Sequence, residues 1–282
     1  GRGPPLVAIA AGWFLALGMR LVVPGLLPVI RADLAITNAT AGLLVTLLWV
    51  AYALTQFPSG VLSDHVGERR VFVASALLGA LGVGVVGATT GVAGFAAGLV
   101  LYGVGTGFYA TPRVMVVSRL YPERTGTALG LVFASGNVGN TVLPAVAGVA
   151  AASLGWRAAF LAAVPLFVAS AAALGATTPT RDGEADADRD GSVVEGVAEL
   201  RRRPVQAATA TLVLFAFAYQ GFIGFLTTYL VDVKGLPPET SSTVFGGFFA
   251  VGLVTQVVSG GIAERYGRRR LFVGLFAATT VG

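Results

Sequence analysis

TQFPSGVLSDHVGERRVFV, from Thr55 to Val73, occurs a second time in this chain as TQVVSGGIAERYGRRRLFV, from Thr255 to Val273. Nine of the nineteen positions are identical at a constant offset of 200 residues. A long repeat at a fixed offset indicates a protein built from two related halves. Because the chain has 282 residues, we expect a complete protein of roughly 400 residues, with this chain stopping in a ninth helix.

The composition is that of a membrane protein. Hydrophobic residues make up 55% of the chain and charged residues 12%, whereas a soluble domain carries roughly 25% charged residues. The mean hydropathy is +0.79. The chain has no cysteine and one histidine, His65, which excludes disulfides, a cysteine nucleophile and a multi-histidine metal site. The use of Arg, Ala and Gly with little Lys favours a prokaryotic source.

Eight complete apolar runs have the length of roughly 20 residues that a membrane-spanning helix needs. The predicted spans are 6–30, 42–62, 71–90, 93–117, 126–151, 158–176, 205–231 and 243–263, and a ninth begins at Leu271. We therefore predict an all-α polytopic membrane protein. Its predicted parts are a six-helix half over 1–176, a cytoplasmic linker with a short amphipathic helix over 177–204, and the start of a second half over 205–282 that holds helices seven, eight and part of nine.

The basic residues fall mostly on one side of these spans. Only Arg31, Arg157 and Lys234 lie in loops on the other side. Loops rich in Lys and Arg stay in the cytoplasm, so the N-terminus is predicted to be cytoplasmic. The residues predicted to share its side are Arg2, Arg69, Arg70, Arg119, Arg124, Arg181, Arg189, Arg201, Arg202, Arg203, Arg265, Arg268, Arg269 and Arg270.

Both copies of the repeat lie in the loop after the second span of their half. Their glycines allow a helix to end and the chain to reverse within a short loop. Their carboxylates and arginines place opposite charges at the membrane surface, where they can pair with each other or with helix ends. The residues concerned are Gly60, Asp64, Gly67, Arg69 and Arg70 in the first copy, and Gly260, Glu264, Gly267, Arg269 and Arg270 in the second.

This pattern resembles the signature loop of the major facilitator superfamily: Gly, three residues, Asp, a basic residue, any residue, Gly and two basic residues. His65, Glu68 and Glu264 depart from it. The Gly-rich stretch 130–148 and GWRAAF over 155–160 resemble the fifth helix and the start of the sixth helix of the same family. The resemblance covers the whole chain. It implies two six-helix halves and loop residues that brace a cytoplasmic gate; the alternative is that the arginines only anchor the loops at the membrane surface.

Two arginines in the predicted spans are candidates for a binding site, because buried charge in a membrane is costly and usually functional. Arg20 lies at least ten residues from the outer end of its span, or about 15 Å, which is far for its side chain to reach water. Arg113 shares a helical face with Tyr102, Thr106 and Tyr109. The alternatives are a structural role for Arg20 and a side chain that reaches the membrane surface for Arg113.

An arginine on helix one and another on helix four resemble the organic anion:cation symporters, in which such residues bind the anionic substrate. Met19 stands where that family commonly has Asp, and the complete spans contain no Asp or Glu. The coupling ion, proton or sodium, therefore stays open. Weaker candidates for the cavity are Tyr219, Gln220 and Asn137, for which ordinary hydrogen bonding between helices is an equal alternative.

The resemblance implies a secondary active transporter that moves a small organic anion by alternating access. We expect a monomeric, multi-pass protein of the cell membrane that binds a small-molecule substrate within the lipid bilayer and uses neither a cofactor nor nucleic acid. The alternatives are a proton-coupled exporter of drugs or metabolites, suggested by the stretch 130–148, and a membrane sensor that does not transport. Enzyme activity is not expected, because the spans lack a carboxylate pair, a histidine and a nucleotide-binding loop.

Overall fold

The computed structural model describes residues 3–180 and 203–266. In these two ranges the chain is helical and the predicted all-α membrane fold is confirmed. A short 3-10 turn, Pro122–Arg124, separates two of the helices. The α-helices are α1 Gly3–Gly25, α2 Leu27–Asp33, α3 Asn38–Val66, α4 Glu68–Ala88, α5 Val92–Leu120, α6 Thr125–Leu154, α7 Trp156–Thr177, α8 Arg203–Asp232 and α9 Pro238–Tyr266.

Seven of the described helices, α1 and α3 to α8, are long and apolar enough to cross a membrane. They carry the first seven predicted spans. The eighth predicted span, 243–263, lies within α9. The ninth, from Leu271, and the linker from residue 181 to residue 202, with its predicted amphipathic helix, lie outside the described residues.

The first predicted span, 6–30, is two helices, so the prediction of one continuous helix was wrong. α1 ends at Gly25, and α2 begins at Leu27. The cause is proline chemistry: Pro28 has no N–H group and cannot donate to the carbonyl of Pro24, four residues earlier. The chain therefore bends at Leu26, and this bend lies near one end of the helical bundle.

Glycines let the helices of the first half approach closely. A Cβ atom at Gly103 of α5 would lie 2.6 Å from the carbonyl oxygen of Leu48 in α3. A Cβ atom at Gly18 of α1 would lie 2.6 Å from the carbonyl oxygen of Gly139 in α6. Such contacts require small residues, and Gly139 supplies one of them from the Gly-rich stretch 130–148. Gly130, from the same predicted stretch, has open space beside it.

The reversal predicted at the first repeat is confirmed. One residue, Gly67, joins α3 to α4 with φ of 85°, a conformation that glycine adopts without steric cost. Gly60 lies inside α3 rather than at its end. A Cβ atom at Gly60 would lie 3.5 Å from the side chain of Thr111 in α5, so this position belongs to a contact between helices.

The two ends of the bundle differ in their charges. We call the end with the α3–α4 turn and the α5–α6 connection the basic end, and the other the opposite end. At the opposite end, Arg31 and Arg157 pair with carboxylates of other helices, and Lys234 lies by the ring of Tyr229. These ion pairs are Arg31–Asp232 at 2.6 Å and Arg157–Asp33 at 2.8 Å. The basic end holds Arg69, Arg70, Arg119 and Arg124.

Candidate functional site

Arg20 lies buried in the middle of the first half, on α1. Its side chain is 1% exposed. The guanidinium carbon lies 3.6 Å from the ring centre of Tyr52 and 4.9 Å from that of Trp49, both on α3. Its Nε and Nη2 groups have no hydrogen-bond partner among the described residues. The aromatic faces stabilise the cation, while two of its donors stay unused.

Arg113 on α5 has the same kind of surroundings. It is 6% exposed, and its guanidinium carbon lies 3.6 Å from the ring centre of Trp13 and 4.8 Å from that of Phe133. Its Nε and Nη1 groups have no hydrogen-bond partner among the described residues. This arginine therefore does not extend to the membrane surface; it is held inside the bundle between α1 and α6.

Helix α1 connects the surroundings of the two arginines. Arg20 lies on α1, and Arg113 stacks on Trp13 of the same helix, seven residues before Arg20. Two like charges in a site of low polarity repel each other, and unpaired buried donors cost free energy. Neither arginine has a carboxylate partner in the described ion pairs.

The other polar residues predicted on this face of α5 hold the helices in place. The hydroxyl of Tyr102 donates to the carbonyl of Ala16 at 2.7 Å, and that of Tyr109 donates to the carbonyl of Ile9 at 2.8 Å. The hydroxyl of Thr106 donates to a carbonyl of its own helix. All three predicted residues are buried. Their hydroxyls donate hydrogen bonds to backbone carbonyls, and for the two tyrosines those carbonyls belong to α1.

The weaker candidates have other described contacts. Tyr219 on α8 is 38% exposed and stacks on Phe215 of the same helix, with ring centres 5.8 Å apart. Gln220 is half-buried next to it. Asn137 on α6 accepts a bond from the Thr141 hydroxyl through its backbone carbonyl. The neighbouring Asn140 is buried, and its side-chain oxygen has no donor among the described residues, which makes Asn140 the stronger polar position on α6.

The predicted loop residues of the first repeat lie at the basic end, where Asp64, Arg69 and Arg70 are exposed. Their bracing role stays a prediction. In the second repeat, the backbone of Gly260 and Glu264 is helical within α9. Gly267, Arg269 and Arg270 lie outside the described residues.

Glu68, which departs from the expected motif, has a role that sequence reasoning missed. Its carboxylate is 1% exposed and accepts two bonds from Arg119 of α5, at 2.6 and 3.3 Å. The sequence contained a signal for this pair. Glu68 is acidic where the family pattern has a basic residue, and a carboxylate at that position needs a basic partner if it is buried. This ion pair joins the start of α4 to the end of α5.

The aromatic walls of the site were also missed as a group. Trp13 lies seven residues before Arg20 on α1, or about two helical turns, and Trp49 and Tyr52 are three residues apart on α3. These spacings place each set on one helical face. Sequence spacing does not, however, show which helix faces which arginine.

The helices and the buried arginines define a polytopic α-helical membrane protein with a polar site inside its first half. The chain belongs to the Major Facilitator Superfamily, whose family model matches residues 8–282. It is 25% identical to the tetracenomycin C resistance and export protein of Streptomyces glaucescens, over 94% of this chain and 59% of that protein. It is 21% identical to the nitrite extrusion protein of Bacillus subtilis, over 93% of this chain and 65% of that protein.

The chain therefore spans about three fifths of the length of these relatives. Among solved structures, a bacterial homologue of the human lysosomal transporter Spinster, in an inward-facing and unoccupied conformation, superposes with a TM-score of 0.80. The match covers 95% of this chain and 64% of that chain at 18% identity. At this identity the likeness shows the fold alone.

Proposed function

We propose that the protein is a secondary active transporter that moves a small organic anion by alternating access, with Arg20 and Arg113 as the groups that bind the anion. The observation that carries this proposal is a pair of buried guanidiniums, each with two nitrogens that have no acceptor among the described residues. The family supports transport as the activity. Membership does not choose the substrate, so the argument for an anion rests on the site.

Charge balance supports an anion. The charged partners in the described salt bridges are Asp33, Glu68 and Asp232, and each is taken by an arginine other than Arg20 or Arg113. A buried cation that lacks a protein counter-ion is strongly destabilising unless a ligand supplies the opposite charge. A cationic substrate would add a third positive charge to the site.

Geometry supports a carboxylate. The Nε and Nη2 atoms of Arg20 form one edge of the guanidinium, and this edge matches the two oxygens of a carboxylate in a paired hydrogen bond. The ring of Tyr52 covers the face of the same group, so only its edges remain to bind a ligand. Arg113 offers two further donors, and together the arginines suit an anion with several oxygens.

The relatives support anion transport and also a second candidate function. The nitrite extrusion protein is named for nitrite, a small oxyanion. A negatively charged substrate agrees with two arginines in the site. The tetracenomycin C export protein is named for a drug and favours a proton-coupled drug or metabolite exporter. The second candidate lacks a described acidic residue within the spans that could carry the proton.

Counterflow uptake in proteoliposomes of the full-length protein tests the proposal. A panel of labelled small carboxylates, with nitrite and a cationic drug as further substrates, is measured with the parent protein and with Arg20→Ala. We expect uptake of at least one carboxylate and a fall of about 100-fold in the variant, because removing one partner of a buried charge pair costs about 2–5 kcal/mol and a factor of 100 is about 2.7 kcal/mol.

Arg157→Ala is the matched control. Arg157 also stacks on a tryptophan, Trp156, at 4.4 Å, but it has its own carboxylate partner. Its loss should leave uptake within about twofold of the parent, as expected for a surface ion pair. Uptake of the cationic drug alone, or equal carboxylate uptake by Arg20→Ala and the parent, would overturn the anion proposal.

A further inference from the structure

The break between α1 and α2 leaves two backbone carbonyls without a donor from their own chain segment. Pro28 has no N–H group for the carbonyl of Pro24. The N–H of Val29, which a regular helix would direct to Gly25, donates instead to the carbonyl of Leu26 at 3.1 Å. Buried carbonyls need a partner, so this break creates two places where another element can bind.

Two hydroxyls of the second half bind these carbonyls. Thr227 of α8 donates to the carbonyl of Pro24. Ser242 of α9 donates to the carbonyl of Gly25 at 2.8 Å. Thr227 is 0% exposed and Ser242 is 1% exposed. Both helices that the structure describes after the linker therefore dock on the same broken turn.

An apolar cluster and an ion pair flank these two bonds. Towards the arginines, Leu21 of α1 packs against Ile223 of α8 and Phe245 of α9, and all three are buried. Towards the surface, Arg31 of α2 pairs with Asp232 of α8 through both carboxylate oxygens, at 2.6 and 2.9 Å. The halves are thus joined at the opposite end by an apolar layer, two buried hydrogen bonds and a partly exposed ion pair.

The basic end of the same helix α8 is not packed in this way. From Val213 to Phe222 the residues of α8 are exposed except for the half-buried Gln220, as Val213 at 60%, Leu214 at 70% and Phe217 at 83% illustrate. Among the described residues, the halves meet at the broken turn and along α6, where a Cβ atom at Gly246 of α9 would meet the carbonyl oxygen of Thr141, but not along this part of α8. The arginine distribution assigns the opposite end to the cell exterior.

We propose that the broken turn between α1 and α2 is a latch that closes the external side of the transporter. The latch consists of the carbonyls of Pro24 and Gly25, the hydroxyls of Thr227 and Ser242, and the ion pair of Arg31 with Asp232. The inference rests on the proposed alternating access but is independent of which substrate is carried. When the latch opens, the apolar cluster parts and Arg20, next to Leu21, becomes accessible from outside.

The chemistry of the latch makes it reversible. The hydroxyl of Ser242 also lies 2.9 Å from the carbonyl of Pro238 on its own helix, so its proton has a second acceptor when the halves separate. The ion pair is a quarter to a third exposed and is worth only a small free energy. Water can bind the carbonyls of Pro24 and Gly25 once the halves separate, so these two acceptors keep a partner when the latch opens.

Accessibility of a single cysteine tests the latch. The chain has no cysteine, so Ile223→Cys can be introduced as the reporter in the full-length protein, and this site is 2% exposed in the closed arrangement. A membrane-impermeant maleimide is added outside intact cells without substrate. Thr227→Val and Ser242→Ala should each raise the labelling rate about fivefold, because each removes one buried hydrogen bond between the halves.

Neighbouring residues provide matched controls. Thr228 and Ser241 are buried, and their hydroxyls have no partner among the described residues. Thr228→Val and Ser241→Ala therefore remove the same atoms without touching the latch and should leave the labelling rate unchanged. Amounts of protein in the membrane are compared for all variants, so that loss of folding is not read as opening.

Pro28→Ala gives the sharpest variant, because it changes no side chain that contacts the second half in the latch. It restores an N–H group that can bind the carbonyl of Pro24 within the helix, so that this carbonyl no longer depends on Thr227 for a donor and the bond between the halves is weakened. We expect faster labelling than in the parent. Parent-like labelling of Thr227→Val, Ser242→Ala and Pro28→Ala, or equal increases in the Thr228 and Ser241 controls, would overturn the latch. The anion proposal would be unaffected, since no substrate takes part in this measurement.

Discussion

The arginines in the middle of the bundle and those at its opposite end have different partners. Arg157 stacks on a tryptophan and binds Asp33, and Arg31 binds Asp232. Arg20 and Arg113 stack on aromatic rings more closely, at 3.6 Å against 4.4 Å for Arg157, yet two nitrogens of each have no acceptor among the described residues. The protein therefore supplies a carboxylate where an arginine joins helices and only aromatic walls where we propose that a ligand binds.

This difference separates two uses of one residue type. A stacked and paired arginine at a helix end contributes a modest, screened interaction. A stacked arginine inside the membrane that has no carboxylate partner costs free energy unless another molecule supplies the opposite charge. Giving a middle arginine a carboxylate should therefore abolish function, whereas breaking an ion pair at the opposite end should leave function nearly unchanged.

The largest effect is expected when Arg20 receives a permanent partner. In Tyr52→Glu, a carboxylate on α3 replaces the ring that lies 3.6 Å from the guanidinium carbon. A tethered carboxylate competes at a high effective concentration, so counterflow uptake should fall about 100-fold or more. Tyr52→Gln, which removes the ring without adding charge, should lower uptake only about fivefold. Equal losses of uptake in the two variants would show that transport depends on the ring of Tyr52 and not on unpaired donors of Arg20.

A smaller effect is expected when residue 20 keeps its positive charge but loses the two parallel hydrogen-bond donors of the guanidinium. Arg20→Lys places a point charge where the Nε and Nη2 atoms offered two parallel donors. The KM for the carboxylate should rise about 10-fold, equivalent to about 1.4 kcal/mol, with the maximal rate less affected. Initial rates over a range of substrate concentrations separate the two quantities. An unchanged KM would contradict paired hydrogen bonding by this residue.

The pair of Glu68 with Arg119 should affect stability rather than uptake. Glu68 is buried, but Arg119 is 39% exposed, so water screens the interaction in part. Glu68→Gln should lower the free energy of unfolding by about 1 kcal/mol. Thermal denaturation of the two single variants and of the double variant with Arg119→Gln measures the coupling. Strictly additive losses would contradict a direct interaction.

The smallest effect is expected at Asp33. Its carboxylate is 42% exposed and its partner Arg157 is 32% exposed, so Asp33→Asn should change the free energy of unfolding by about 0.5 kcal/mol or less. Uptake should match the parent, because the pair lies within the first half. A loss of uptake comparable with that of Arg20→Lys would remove the distinction between middle and end arginines.

The helices and the family could be read from the sequence because both follow from local patterns. Apolar runs of membrane length placed the spans, and the doubled loop pointed to two halves. The break at Leu26 was missed, although Pro24 and Pro28 lie within the first run. Hydropathy measures how apolar the side chains are and takes no account of a lost backbone hydrogen bond. It therefore does not detect such a break.

The site could be predicted only in part. Arg20 and Arg113 were identified from charge within apolar runs, and the structure buries both. Their aromatic partners depend on which helices face each other, which a single sequence does not specify. Tyr102 and Tyr109 matched the helical periodicity of the site, but periodicity gives a face and not a hydrogen-bond partner. Their hydroxyls bind carbonyls of α1, a contact over long sequence distance.

Thermal stabilisation by ligand tests most directly whether the middle arginines bind an anion. The purified full-length protein and Arg20→Ala are heated with and without each carboxylate of the panel. A ligand at 100 times its Kd adds about 2.7 kcal/mol to the stability of the state that binds it. We expect a carboxylate to raise the melting temperature of the parent by several degrees and to leave that of Arg20→Ala unchanged. An equal rise in both proteins would contradict the account.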